Sequence, residues 1–210
     1  MASLAQLSAA IEARDPYARG HASRVTVFAK AMARAIDLDK ERLSVLRLGA
    51  LLHDVGKLTV PPAILLKRGP LTETEFVQVR RHPAAGVRML RSLGAPREIL
   101  PSVLHHHERW DGAGYPRSRA GERIPLEARI LTVADSFDAM TSTRPYRPPR
   151  QVSDALEELE RCAGSQFDPE LVGIFAVAWG EGELDALVWQ AHGGSARAST
   201  RPRALSSSAG

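Results

Sequence analysis

Residues 43–57 read Leu-Ser-Val-Leu-Arg-Leu-Gly-Ala-Leu-Leu-His-Asp-Val-Gly-Lys. Leu43, Leu46, Leu48, Ala50, Leu51 and Leu52 predict a mostly apolar helix, and Gly56 is placed to end it in the left-handed conformation. His53 and Asp54 are then expected in its last turn. Neighbours on a helix point about 100° apart. An imidazole and a carboxylate so placed can meet one cation only at a helix end, or if the carboxylate bridges two ions. Taken by itself, such a doublet is more often a buried hydrogen-bonded pair followed by a surface lysine, here Lys57. The rest of the chain argues for a built site.

Outward from this stretch, helical spacing recurs and period-two alternation does not, which predicts an all-α fold. Leu4, Leu7 and Ile11 mark an amphipathic opening helix over residues 1–13, broken by Arg14-Asp15-Pro16-Tyr17. A second pattern runs from about Gly20 to Ile36, with Val25, Phe28, Ala29, Met32 and Ile36 on one face. His21 lies in its first turn and, read alone, is a cap or a surface residue. Asp39 is placed as the N-cap of the helix that ends in His53-Asp54. Pro61-Pro62 opens a short segment that Gly69-Pro70 closes. Thr72-Glu73-Thr74-Glu75 has capping-box spacing and predicts a helix from Thr72 to about Arg81. Proline disfavours helical dihedrals at the residue before it, so His82 is expected at a junction, with Pro83 opening the next helix.

A helix from Pro96 runs into His105-His106-His107-Glu108, and an apolar helix leading straight into three histidines argues for an inward role. Residues 109–123 hold Asp111-Gly112-Ala113-Gly114-Tyr115-Pro116 and are rich in turn formers, which predicts an ordered loop. Ile124 to Met140 is an apolar helix carrying Asp135 and Asp138, three apart and so on one face. Acids in that company are costly to bury unless paired or metal-bound; Arg144 and Arg147 are nearby partners for a salt bridge. Helices over Val152–Arg161 and from Asp168 to about Ala178 complete the body. From Ala191 onward Ser, Ala, Gly and Arg dominate, so residues 191–210 are expected to be a disordered tail.

Composition narrows the function. The chain has 210 residues, 44% hydrophobic and 25% charged, values of a water-soluble globular protein with one core. No apolar run nears the roughly 20 residues that span a bilayer, and the N-terminus lacks a basic region followed by an apolar block, so a cytoplasmic location and no membrane contact are expected. Cys162 is the only cysteine, which excludes an intrachain disulfide and a thiolate cluster. Any metal must be held by nitrogen and oxygen. Of the net charge of +4, Arg197, Arg201 and Arg203 supply three, leaving +1 for residues 1–190. A body so near neutral gives no support to DNA binding.

Six motifs, in this order, resemble those of the HD-GYP family, a branch of the HD metal-dependent phosphohydrolases associated with hydrolysis of cyclic di-GMP. They are Arg14-Asp15-Pro16-Tyr17 with His21, His53-Asp54-Val55-Gly56-Lys57, Arg81-His82-Pro83, His106 through Pro116, Ala134-Asp135-Ser136-Phe137-Asp138-Ala139, and Arg144-Pro145-Tyr146-Arg147. The resemblance implies an HD-domain helical bundle over residues 14–180 with an ordered Gly-Tyr-Pro loop. It implies His53, Asp54, His82, His106, His107 and Asp135 as metal ligands, with His21 added. Asp54 and Lys57 would be catalytic, and Lys57, Arg144, Arg147, Gly114, Tyr115 and Pro116 would bind substrate. The most metal-rich members carry a glutamate where Tyr17 stands, so a two-metal centre is favoured over three.

Five imidazoles and two carboxylates suit two cations. With Asp54 bridging they fill eight of roughly twelve positions around two six-coordinate ions, and a bridging hydroxide and phosphate oxygens take the remainder. Imidazole with carboxylate fits iron, manganese or zinc more readily than magnesium. Together with the resemblance, this gives as the expected function a phosphodiesterase that opens cyclic di-GMP to linear pGpG by attack of the bridging hydroxide, with pGpG and GMP both left open as the final product. Two rivals remain: an HD phosphohydrolase acting on another nucleotide, including a different cyclic dinucleotide, and a non-catalytic scaffold whose Gly-Tyr-Pro loop contacts a diguanylate cyclase. A homodimer is allowed for. No sensory domain is expected before residue 14, and regulation is expected from expression, partners or the opening helix.

Overall fold

The computed structural model describes residues 4–14, 19–143 and 148–180. Ten α-helices follow one another among them: α1 (Leu4–Arg14), α2 (His21–Ala35), α3 (Lys40–Leu52), α4 (Pro62–Leu65), α5 (Glu73–Val79), α6 (His82–Ser92), α7 (Leu100–His105), α8 (Leu126–Thr141), α9 (Val152–Arg161) and α10 (Pro169–Gly180). No strand forms among the described residues, and the all-α expectation holds. No described helix is long and apolar enough to cross a membrane. The expected tail, Arg144, Arg147 and Tyr17 lie outside the described residues.

Local chemistry sets the helix ends. The Asp39 side chain accepts from the Arg42 N–H at the start of α3, and Thr72 and Glu75 form the expected capping box at the start of α5. Three expectations are corrected. Gly56 does not end α3 in a left-handed turn; α3 stops at Leu52, and Gly56 lies in a 3-10 turn, Val55–Thr59. Its requirement is space, because a Cβ there would stand 1.8 Å from the His82 carbonyl oxygen. His82 is itself the first residue of α6, and Pro83 the second. Proline's missing N–H costs little there, since first-turn amides have no intrahelical partner. The helix expected from Pro96 is split at Leu100 into a 3-10 turn, Arg97–Ile99, and α7.

Two apolar clusters build the interior. One gathers α2, α3, α8, α9 and α10 around Phe28, Phe137 and Phe175, whose rings meet edge-on or tilted with centroids 4.8–6.1 Å apart. The other joins α1, the end of α3, α6 and α7 through Ile11, Leu52, Val55, Leu90, Ile99 and Val103. Helix α3 belongs to both, Leu46 and Ala50 to the first and Leu52 to the second. The residues that follow Leu52 therefore emerge where the two clusters meet.

Candidate metal centre

Backbone carbonyls left over at helix ends orient three of the imidazoles. The last turns of α3, α5 and α7 leave the carbonyls of Ala50, Val79 and Val103 without an intrahelical donor. His53, His82 and His106, each three residues further on, donate Nδ1–H to them at 2.7, 2.8 and 2.9 Å. A carbonyl only accepts, so the proton sits on Nδ1 and each Nε2 turns a lone pair inward. His21 is held differently, with Nδ1 2.7 Å from Asp138 Oδ2. Asp138 also accepts from Arg24 Nε at 2.5 Å and from the Ser142 hydroxyl at 3.2 Å.

The inward nitrogens converge in two pairs. His21 and His53 bring Nε2 atoms to 3.3 Å, and His82 and His106 bring theirs to 3.2 Å. Asp54 stands between the pairs. Its Oδ1 lies 3.3 and 3.9 Å from the Nε2 atoms of His82 and His106, and its Oδ2 lies 3.5 and 3.8 Å from those of His53 and His21. His107 can join Asp54, His82 and His106 in one ligand set, and His21, His53 and Asp54 form another. Asp135 Oδ1 faces the second set, 3.4 Å from His21 Nε2. Lone pairs at such separations repel unless a cation lies among them. The donors are nitrogen and oxygen alone, so the residues fit divalent metal ions.

Electrostatics agrees with that fit. Burial pushes the His53 imidazole below its usual range and the His106 and His107 imidazoles well below theirs; for the latter two, neighbouring histidines add to the effect. All three are thus neutral, as metal ligands must be. Burial opposes ionisation of Asp54, but Lys57, His53 and His82 hold its carboxyl well below the usual range. His21 is pushed down by burial and, more strongly, up by Asp138, Asp135 and Asp54 together. Lys57 Nζ lies 2.5 Å from Asp54 Oδ2, at the edge of the cluster, with 24% of its side chain exposed.

The Gly-Tyr-Pro loop forms one wall. Tyr115 stacks on His107, centroids 4.9 Å apart and planes 28° apart, and the Arg80 guanidinium covers its ring at 4.7 Å. Burial pushes the Tyr115 hydroxyl up. Gly114 packs so tightly that a Cβ would stand 2.3 Å from the Arg109 nitrogen and 2.6 Å from the His107 oxygen. Pro116 follows a cis peptide bond. The third histidine of the run, His105, turns away from the cluster to Glu108. Buried Glu108 accepts from the backbone N–H groups of Arg117 and Arg119 at 2.8 and 3.0 Å, bracketing the loop.

The HD domain family matches residues 5–171. This chain belongs to that family. Cyclic di-GMP phosphodiesterase response regulator RpfG of Xanthomonas campestris pv. campestris is 39% identical over 198 residues, covering 92% of this chain and 51% of the relative. The 3'3'-cGAMP-specific phosphodiesterase 3 of Vibrio cholerae is 40% identical over 160 residues, 76% of this chain and 35% of the relative. The chain thus spans about half or less of the length of these curated relatives. The HD domain of the L. monocytogenes phosphodiesterase PgpH, solved with cyclic-di-AMP, shares the fold with a TM-score of 0.61 at 19% identity, over 92% of this chain and 100% of that one. The HD-GYP resemblance drawn from the motifs stands with these relatives.

Sequence reasoning missed three supports of the site. Asp138 pairs with Arg24 and His21; the sequence offers Arg144 and Arg147 only as an alternative pairing, and both lie outside the described residues. Arg24 stands three residues after His21 on α2, and that same-face spacing was the available signal. Glu108, next to the histidine run, gave no sign of holding the loop. Arg80 over Tyr115 has no counterpart in local spacing.

Proposed function

We propose that this chain is a metal-dependent phosphodiesterase that opens cyclic di-GMP to linear pGpG and then to GMP. The observation that carries the reading is the placement of Asp54, with one oxygen toward His21 and His53 and the other toward His82 and His106. That arrangement suits a carboxylate shared by two ions, with Asp135 added on the His21 side and His107 on the other. Two divalent cations, iron or manganese before zinc, would supply an activated water for in-line attack and a clamp for the non-bridging oxygens of the diester.

The chain's own residues do the remainder. The carbonyl-bound Nδ1 protons keep three imidazoles in one tautomer, so their lone pairs are aimed before a ligand arrives. The Lys57 ammonium, paired with Asp54, is close enough to the centre to meet charge developing on a phosphoryl oxygen. Tyr115 on His107 keeps the imidazole in place. Arg144 and Arg147 would grip the second phosphate or the Hoogsteen edge of guanine, for which arginine's planar fork is suited.

A second substrate reading has an observation of its own, since the V. cholerae relative is named for 3'3'-cGAMP. The docking of a diguanylate cyclase on the Gly-Tyr-Pro loop is less well supported, because Tyr115 is engaged with His107 and Arg80. The test is to load anaerobically purified protein with iron or manganese, count the ions, and follow cyclic di-GMP, 3'3'-cGAMP and cyclic di-AMP by chromatography. Cyclic di-GMP is expected to be cut fastest, giving pGpG first. Faster cleavage of 3'3'-cGAMP would move the substrate assignment. Full metal with no hydrolysis of any of the three would leave the scaffold reading.

A further inference from the structure

A cleft of about 930 Å³ opens between α6, α7 and the far end of the Gly-Tyr-Pro loop. We propose that it is a second binding site, for a small phosphate-bearing ligand with an apolar body, of which a nucleoside monophosphate is the type. None of the metal-centre residues lines it. Its volume falls within the range of about 300–1,000 Å³ usual for small-molecule sites. Val87, Leu100, Pro101 and Leu104 give it an apolar surface, and Arg91, Arg97 and Arg119 surround that surface with positive charge. No carboxylate is among its lining residues.

The grouping of three arginines around one apolar concavity distinguishes this cleft from an ordinary charged surface. Several arginines of the fold are tied to acids, as Arg24 is to Asp138, Arg42 to Glu127 and Arg129 to Asp168. Arg91 and Arg97 have no ion pair among the described residues, and both are exposed beside a concave apolar surface. Guanidinium groups bind phosphate through paired charge-assisted hydrogen bonds. An apolar floor adds affinity only for a ligand that carries an apolar face as well as charge, which an inorganic anion lacks. An acidic protein segment would satisfy the charge but would leave a concavity of this volume largely unused.

Occupancy would bear on the metal centre. His105 lines the cleft and contacts Glu108, whose carboxylate holds the backbone of Arg117 and Arg119. The same loop lays Tyr115 on His107. A ligand gripping Arg119 therefore acts on the segment that positions a metal ligand.

The test is calorimetric titration of GMP into the metal-loaded full chain and into the Arg91→Glu/Arg97→Glu double variant. Any GMP held at the metal centre is common to both proteins. The parent is expected to show one further binding event that weakens at least about tenfold in the double variant, as loss of charge-assisted bonds does. Hydrolysis of a small chromogenic phosphodiester and the helical circular dichroism should be the same in both. Arg119→Glu should weaken the same event. Identical isotherms for parent and double variant would overturn the proposal. Inorganic phosphate binding there as tightly as GMP would reduce the cleft to a charge patch and overturn it too. A glutamate-rich peptide that binds through these arginines while GMP does not would make the cleft a protein-docking groove, and the small-ligand site would again be overturned. Binding is the readout, so the outcome does not depend on which cyclic dinucleotide is hydrolysed.

Discussion

The two halves of the candidate metal cluster are built from similar imidazoles but differ in what holds the member that no carbonyl binds, His21 in one and His107 in the other. His82 and His106 are tied to backbone carbonyls and buried among other rings, and His107 is propped by Tyr115. Around His21 the supports are charged, with Asp138 and Arg24 behind it and Asp54 and Asp135 in front. The consequence shows in the protonation preferences: His106 and His107 are driven well below their usual range, while His21 is raised. A carbonyl-bound half is fixed by the fold itself. The half that holds His21 shares one carbonyl-bound ring, His53, but it can be weakened at His21 through charge alone, without touching a proposed ligand.

Asp54 belongs to both halves, so its loss should have the largest effect. Asp54→Ala is expected to abolish turnover and to lower metal content in both halves, while circular dichroism keeps the helical signal. Full metal occupancy and unchanged activity in this variant would end the two-metal account. Next in size is Lys57→Ala, which removes an ammonium beside the cluster and no ligand. Metal content should stay and the rate should fall about a hundredfold to a thousandfold, the usual loss for one such donor. A parallel collapse of metal and activity would make Lys57 a support of Asp54 and nothing more.

Asp138→Asn sharpens the contrast directly. It leaves every proposed ligand in place but removes the negative charge behind His21, and metal affinity on that half should drop about tenfold to a hundredfold. The other half, measured by the second equivalent in a metal titration, should be unaffected. Acid gives an independent reading. Burial works against ionisation of Asp138, but hydrogen bonds from His21 and Arg24 bring its pKa down from 3.8 to about 2. A depressed carboxyl stabilises the fold above its unfolded value and stops doing so as pH falls through the folded one. The metal-free parent's advantage over Asp138→Asn in denaturant midpoint should therefore be full near neutrality and shrink between pH 3.8 and about 2. A difference independent of pH would show that the charge is not what matters.

How much of the fold and site is legible in the sequence depends on whether the information is local. Helix patterning places α2, α3, α8 and α9 closely, because the apolar spacing, the Asp39 cap and the Thr72 capping box act within one or two turns. The candidate ligands are visible as motifs but their convergence is not, since His21 and His53 meet only after α2 packs on α3 and α8. Gly56 shows the limit well. Its position suggests a helix terminator, whereas its need is the approach of the His82 carbonyl, a contact distant in sequence that local dihedral preference cannot reveal. Asp138 stands out as an acid needing a partner, and the partner comes from α2. By contrast, the carbonyls of Ala50, Val79 and Val103 are in principle readable, because each lies three residues before a histidine at a helix terminus.

The smallest expected effect lies at Tyr115 and measures how far the carbonyl-bound half needs outside support. Carbonyl bonds orient His82 and His106, whereas His107 has the Tyr115 ring stacked on it at 28°. An aromatic pair of this kind contributes about 0.5–1.5 kcal/mol beyond the area it buries. Tyr115→Ala should then weaken metal on the His82, His106 and His107 side by about twofold to tenfold, less than Asp138→Asn weakens the other side. Tyr115→Phe keeps the stack and the cover of Arg80, so it should behave like the parent in metal titration. If Tyr115→Phe loses as much as Tyr115→Ala, the hydroxyl and not the ring supports the centre. If Tyr115→Ala costs as much as Asp138→Asn, the carbonyl bonds do not hold this half by themselves, and the contrast between the two halves reduces to two kinds of outside support.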